Sequence, residues 1–181
     1  MKYWSVPNTQ YPTWAIDLSQ LTDFLDIVGI MKQLKIVKYN YSFIYEEEVI
    51  KYGISADKSK TWGERIYRQA GHLDGWNRKL APDSSGSDMQ EISNEYFKLH
   101  GRHLNRVGML LVVVDMSDVA SPDINDPVYP CKKLERELIK EHIERTGHAP
   151  IGNKKTEDYL DNKTFVTQDL WNSLFEGQEE C

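Results

Sequence analysis

The chain has 181 residues and a net charge of −6, from 22 basic and 28 acidic side chains. This length is typical of one domain that buries its core without disulfides. The two cysteines, Cys131 and Cys181, form no C-x-x-C pair, which argues against a disulfide scaffold or zinc ribbon and favours a reducing cytoplasm. The chain start lacks a basic stretch followed by an apolar run, and the longest apolar run, 109–114, is too short for a bilayer.

Charge is distributed unevenly along the chain. Residues 51–80 hold seven Lys and Arg against three Asp and Glu, a balance of +4, whereas residues 156–181 hold one lysine against seven acids, a balance of −6. The net negative charge argues mildly against a nucleic-acid partner, because phosphate neutralisation needs cations. The basic stretch at 51–80 is compatible with one nucleic-acid-binding face, and scattered solvated charges would explain the same counts.

The first third of the chain predicts a helix followed by a hairpin. Residues 17–33 place apolar side chains at helical spacing, with Asp17 or Ser19 as a cap. Residues 34–45 are rich in β-branched and aromatic side chains that alternate onto one face, and residues 49–55 indicate a second strand. The three glutamates between the strands suit an exposed hairpin connection.

The remainder predicts helices around one more strand. A helix at about 62–70 precedes a Pro, Gly and Ser-rich loop, and further helices are expected at 89–100 and 131–146. The continuous apolar run within 107–116 favours a strand that is buried on both faces. We therefore predict an α+β fold with a small central antiparallel three-stranded sheet flanked by helices. Without strand–helix alternation or a glycine-rich phosphate loop, a kinase, GTPase or dehydrogenase is excluded.

Four features follow one another between residues 37 and 153. They are the strand Tyr39-Asn40-Tyr41-Ser42-Phe43, the strand Lys51-Tyr52-Gly53-Ile54-Ser55, a helix bearing Arg65, and Leu134-Glu135-Arg136-Glu137-Leu138-Ile139-Lys140 followed by Pro150 and Asn153. In this order they resemble the GIY-YIG nuclease superfamily of homing, restriction, phage and excision-repair endonucleases. The resemblance implies a helical extension at 1–33, a catalytic domain at 34–155 and an acidic tail at 156–181.

The sequence departs from the family pattern at several positions. Tyr39 and Asn40 replace the first glycine and isoleucine. Alignment on Gly53 puts Lys51 at the second tyrosine position, whereas alignment on the aromatic puts Tyr52 there. Gln69 occupies the position one helical turn after Arg65, where the family often has a histidine or tyrosine, and His72 follows three residues later.

The resemblance implies hydrolysis of a phosphodiester with Mg²⁺ or another divalent cation. Glu135 would hold the metal, with waters completing its coordination. Arg65 would offer a planar fork of donors to the phosphate. Tyr41 would take a proton from water if a cation such as Lys51 lowered its pKa. The implied catalytic residues are Tyr41, Lys51, Tyr52, Arg65, Glu135 and Asn153, and the implied substrate-binding residues are Arg68, Gln69 and His72.

Each of these residues also has an ordinary structural explanation. Glu135 would fit a solvated helix face, Arg65 would pair with an acid, and the tyrosines would pack a strand. Asn153 would orient a ligand or cap the local backbone. The histidines show no metal-ligand spacing, and His142 and His148 are expected at the surface.

We expect a metal-dependent DNA endonuclease, with a restriction-like role or phage-type DNA degradation. Its substrate would be double-stranded DNA in the cytoplasm of a bacterial or phage-infected host cell, without membrane contact. The modest basic count predicts weak affinity, or a homodimer that doubles the contacts. The alternatives are a non-catalytic nucleic-acid- or protein-binding module on the same scaffold, and a nuclease that acts on RNA.

Overall fold

An antiparallel sheet with helices packed on both faces forms the fold, as a computed structural model shows. The structure describes residues 1–23, 25–54, 64–71, 73 and 89–153, and the side chains of residues 64, 65, 67 and 68 lie outside this description. The predicted loop at 81–88, His72 and the acidic tail also lie outside the described residues.

The sheet has five strands in the order β1-β2-β5-β3-β4, and every neighbouring pair is antiparallel. The strands are β1 (Tyr3–Ser5), β2 (Thr13–Asp17), β3 (Tyr39–Tyr45), β4 (Glu48–Ile54) and β5 (Met109–Asp115). The α-helices are α1 (Asp26–Gln33), α2 (Glu64–Gly71), α3 (Met89–His100) and α4 (Tyr129–Thr146). Short 3-10 turns cover Leu18–Gln20 and Ile151–Asn153. Strand β4 is therefore one edge of the sheet.

The side chains of β3 alternate between the two faces of the sheet, so their contacts show which elements pack on each face. Tyr41 and Phe43 are buried in the main core together with side chains from α1, α2 and α3. On the opposite face, the Nδ2 of Asn40 donates a hydrogen bond to the Cys131 carbonyl of α4 over 2.8 Å. Helix α4 therefore covers the Asn40 face, and α2 and α3 cover the Tyr41 face.

The β3–β4 hairpin is closed by a tight turn at Glu46 and Glu47, whereas the third glutamate of the predicted connection, Glu48, begins β4. Both turn residues are exposed and have left-handed backbone angles, with φ of 48° and 70°. Two successive left-handed residues give the twist that a two-residue hairpin connection requires. The Arg102 guanidinium pairs with the Glu46 carboxylate through two nitrogens, which ties the turn to the loop after α3.

The predicted three-stranded sheet and the helical extension at 1–33 are wrong. Strands β1 and β2 belong to the same sheet, because β2 pairs with β5 along its full length. The expected helix from residue 17 begins only at Asp26, and the Asp17 carboxylate instead accepts from the Ser19 N–H at 3.0 Å to cap a 3-10 turn. Strand β2 is stabilised by pairing with β5, and β1 in turn by pairing with β2, which local spacing does not reveal.

The later elements agree better with prediction. Helix α3 occupies the predicted residues, α4 begins two residues earlier than predicted, and α2 covers Glu64–Gly71. Strand β5 was expected to be buried on both faces, but its buried and half-buried residues alternate. Both faces carry apolar residues, yet only the face of Leu111 and Val113 enters the main core.

Candidate functional site

Polar side chains are buried around the edge strand β4. Lys51 is 2% exposed, Glu135 3%, Asn153 5% and Gln69 0%. Burial of an ionisable group costs free energy unless partners compensate it, so such groups often mark functional sites. Strand β4 and the elements packed on it are therefore the candidate site.

The Tyr41 ring lies directly over Gly53 of the paired strand. A Cβ atom at Gly53 would lie 2.3 Å from Tyr41 Cζ, so only glycine fits beneath the ring. The Tyr41 hydroxyl donates to Gln69 Oε1 at 3.1 Å. In this arrangement the Tyr41 hydroxyl acts as a hydrogen-bond donor, whereas a general base has to accept a proton.

The register of the hairpin decides between Lys51 and Tyr52 as the partner of Tyr41. Lys51 lies opposite Phe43, and Gly53 lies opposite Tyr41, which puts Lys51 on the same face as the Tyr41 ring. Tyr52 projects to the other face, where its ring packs edge-on against the His142 ring of α4 with 6.3 Å between the ring centroids. Lys51 is therefore the cation on the Tyr41 side of β4.

Asn153 holds the backbone of β4 at Tyr52. Its Oδ1 accepts from the Tyr52 N–H at 2.8 Å, and its Nδ2 donates to the Tyr52 carbonyl at 2.9 Å. The 3-10 turn lies so close to β4 that a Cβ atom at Gly152 would be 2.9 Å from the Ile50 carbonyl oxygen. The sequence predicted that Asn153 would orient a ligand or cap the local backbone, whereas its side chain binds the backbone of a strand 101 positions away.

Tyr52 forms a cluster with His142 and Arg145 of α4 that the sequence analysis did not predict. Burial raises the pKa of Tyr52, and the Arg145 charge partly offsets this rise. His142 was expected at the surface but is 2% exposed, and burial followed by the charge of Arg145 lowers its pKa. The available signal was helical spacing, since His142 falls on the same stripe of α4 as the buried Glu135 and Ile139.

Glu135 lies on the buried face of α4, so the solvated-surface explanation is wrong. It is one turn beyond Cys131, and its charge adds to the burial that raises the pKa of the Cys131 thiol to about 12. Because α4 packs on the Asn40 face, Glu135 approaches the hairpin from the side opposite to Tyr41.

The predicted site residues fall into two groups that are separated by the sheet. Tyr41, Lys51 and Gln69 lie on one face, and Tyr52 and Glu135 lie on the other. Arg65 and Arg68 lie on α2, with Arg65 one turn before Gln69, and their side chains are outside the described residues. The outer edge of β4 is one place where the two faces of the sheet meet.

The described residues offer few ligands for a metal ion. Within these ranges, no group of three or more His, Cys, Asp or Glu side chains is placed to hold one. A site based on Glu135 would therefore use one protein carboxylate, which magnesium tolerates because it retains several waters.

No protein-family profile, curated protein or solved structure matches the chain. The nuclease resemblance thus rests on the four sequence features alone. None of the helices within the described ranges has both the length and the apolar character needed to cross a membrane.

Proposed function

We propose that the chain is a metal-dependent DNA endonuclease of the GIY-YIG type, with its phosphodiester site at the outer edge of β4. The burial of Lys51, Glu135 and Asn153 around this single edge strand carries the proposal. The antiparallel order β5-β3-β4, with a helix after the hairpin and another after β5, supports it further.

A magnesium ion fits the donor chemistry of Glu135. Its carboxylate supplies the oxygen ligand that a hard cation prefers, and it is held on α4 against the hairpin. When bound, the metal would act as a Lewis acid on the scissile phosphate. This part of the proposal needs only one carboxylate, in keeping with the sparse ligands of the described residues.

The other residues take roles that follow from their positions. Arg65, near the start of α2, pairs its guanidinium with the phosphate. Lys51 supplies positive charge on the Tyr41 side of β4, and Gln69 orients the Tyr41 hydroxyl. Asn153 is a positioning residue, because it holds the β4 backbone.

Tyr52, Arg68 and His72 would contribute to substrate binding rather than to proton abstraction. The raised pKa of Tyr52 keeps its hydroxyl protonated at neutral pH, so it serves as a donor there.

One observation favours the alternative of a non-catalytic binding module. Tyr41, Lys51 and Glu135 are each only 2–3% exposed, so a phosphate reaches them only if the edge of β4 opens. A module that binds nucleic acid or protein through its exposed surface requires no such opening.

The two candidates are separated by incubating supercoiled plasmid with the purified chain, with and without Mg²⁺. Glu135→Gln removes the charge of the proposed metal ligand while conserving its size, and Glu137→Gln on the exposed face of the same helix is the matched control. For the phosphate contact, Arg65→Ala is paired with Arg102→Ala at an exposed position.

The nuclease proposal predicts metal-dependent relaxation or linearisation of the plasmid. Removal of one transition-state contact should slow cleavage by about a hundredfold or more in Glu135→Gln and Arg65→Ala, and the two controls should cleave at the wild-type rate. Plasmid that binds the chain but stays supercoiled at high protein concentration would establish the binding module instead.

A further inference from the structure

A group of polar side chains lies where the C-terminal end of α4 packs on β4. It consists of Tyr52, His142, Arg145 and His148, and we refer to it as the His142 cluster. The centroid of the His142 ring lies 6.3 Å from that of Tyr52 and 5.9 Å from that of His148. Nδ1 of His142 lies 3.5 Å from Nη2 of Arg145, so the His142 ring contacts the other three side chains.

The end of α4 sets the positions of these side chains. His142 and Arg145 are three positions apart and therefore share one side of the helix. Gly147, with a left-handed φ of 85°, ends the helix and turns the chain so that His148 packs on His142. The terminal carbonyls of His142 and Ile143 accept hydrogen bonds from the cap, each over 2.8 Å. These bonds reduce the negative potential that a helix end would otherwise present to a ligand.

A hydrogen-bond donor without an acceptor lies at the centre of the cluster. A guanidinium can only donate, so Nδ1 of His142 accepts from Arg145, and we assign the ring proton to Nε2. Burial, followed by the charges of Arg145 and His148, lowers the pKa of His142, which favours this neutral ring. Nε2 is buried and has no hydrogen-bond partner within the described part of the chain. Because an unsatisfied buried donor costs free energy, we expect a ligand to supply the acceptor.

The other members of the cluster add positive charge and a further donor. Arg145 is exposed and forms no ion pair with a described acid, whereas Lys132 and Lys140 of the same helix do. Burial raises the pKa of Tyr52 against the opposing charge of Arg145, so its hydroxyl keeps its proton at neutral pH. The acid that acts on Tyr52 is Glu141, which is exposed to solvent. The ligand that matches this set of groups is an anion with several acceptor oxygens.

We propose that Tyr52, His142 and Arg145 bind a phosphate group, to which the Tyr52 hydroxyl, His142 Nε2–H and the Arg145 guanidinium donate. The planar guanidinium can bond two phosphate oxygens at once, which leaves another oxygen for the neutral donors. Arg145 and His148 are exposed and Tyr52 is half-buried, so the phosphate enters from solvent as the His148 ring moves aside.

The phosphate group can belong to the backbone of a bound nucleic acid or be free phosphate, since both present the same oxygens. A backbone phosphate would make the cluster a second contact with the substrate, about 10 Å along α4 from Glu135. This choice of source rests on the proposed function, whereas the binding of phosphate itself does not.

Titration of the full chain with inorganic phosphate, followed through the imidazole resonances of His142 by NMR, tests the site. The pH and the ionic strength are held constant, and phosphate is raised to about 50 mM, which would saturate a site of millimolar affinity. Arg145→Gln removes the guanidinium and Tyr52→Phe removes the hydroxyl. Lys140→Gln, which removes one positive charge from an exposed position of the same helix, is the matched control.

The wild type and Lys140→Gln should show a saturable shift of the Nε2 resonance. Arg145→Gln should weaken the affinity at least about tenfold and Tyr52→Phe about fivefold, as expected for the loss of a charged and a neutral hydrogen bond. A resonance that does not shift in the wild type would overturn the proposal. So would an affinity that is the same in Arg145→Gln as in the wild type.

A short DNA duplex, in the presence of EDTA, distinguishes the two sources of phosphate. Binding is measured by fluorescence anisotropy at several salt concentrations. If a backbone phosphate occupies the site, the slope of log affinity against log salt should be lower by about one in Arg145→Gln than in Lys140→Gln. Equal slopes would overturn the backbone source and assign the site to free phosphate. Neither measurement involves cleavage, so both can be interpreted even if the nuclease proposal fails.

Discussion

Asn153 offers the sharpest test of how the edge of β4 is held. Its side-chain amide makes two hydrogen bonds to the Tyr52 backbone, at 2.8 and 2.9 Å, across 101 positions of sequence. Asn153→Ala removes both. At about 1 kcal/mol for each bond, the free energy of unfolding should fall by about 2 kcal/mol.

Urea denaturation measures this loss. With a denaturant slope of about 2 kcal/mol per molar for a chain of this size, the midpoint should fall by about 1 M. Asn153→Asp separates the loss of these two hydrogen bonds, the two-bond clasp, from the effect of removing the side chain. It keeps the acceptor for the Tyr52 N–H but places an oxygen against the Tyr52 carbonyl. It should therefore also be destabilised, although the side chain is almost unchanged in size.

Asn105→Ala is the control, since the Asn105 side chain is exposed and accepts a local bond from the Val107 N–H at 2.9 Å. Its effect should stay within about 0.5 kcal/mol. If Asn153→Ala lies within the same limit, or if Asn153→Asp retains full stability, the two-bond clasp does not stabilise β4 and the reasoning is refuted.

Three further predictions follow from buried contacts. Gly53→Ala should lower the free energy of unfolding measured in urea by about 1–3 kcal/mol, because its Cβ would overlap the Tyr41 ring. Combining it with Tyr41→Leu should relieve part of this cost, and additive effects of the two substitutions would contradict the overlap. The lowered pKa of His142 means that stability should fall as the pH drops below about 6.5, the usual value, and His142→Gln should flatten this dependence in urea titrations at successive pH values. Cys131, with a pKa of about 12, should resist alkylation at pH 8 in the folded Cys181→Ser variant and react only on unfolding; fast native labelling would contradict its burial.

The sign of the histidine effect follows from linkage. Below pH 6.5 the unfolded chain binds a proton at residue 142 that the buried imidazole accepts only at lower pH. The unfolded state is therefore favoured progressively as the pH falls through that range, and the contribution is fully regained above it.

Prediction from sequence succeeded where a signal is local. The hairpin, α3 and α4 follow from alternation, helical spacing and turn residues, all within a short stretch of chain. It failed at β1 and β2, whose three and five residues have no distinctive pattern. Strand β2 depends on pairing with β5 about a hundred positions away, and β1 depends on pairing with β2.

The candidate site was only partly predictable for the same reason. Helical spacing brings Glu135 and His142 onto one stripe of α4, but spacing does not reveal whether that stripe faces solvent or the sheet. The burial of both residues comes from the docking of α4 on β3 and β4.

The sequence by itself determined the class of the fold, the positions of the main helices and hairpin, and the residue types available for chemistry. Only the tertiary structure decided that Tyr41 and Glu135 lie on opposite faces and that Lys51 rather than Tyr52 shares a face with Tyr41. It also decided that Asn153 hydrogen-bonds to the backbone of the edge strand β4. The physical reason is range: periodicity and capping act between residues a few positions apart, whereas strand register and helix docking are set by contacts between distant segments.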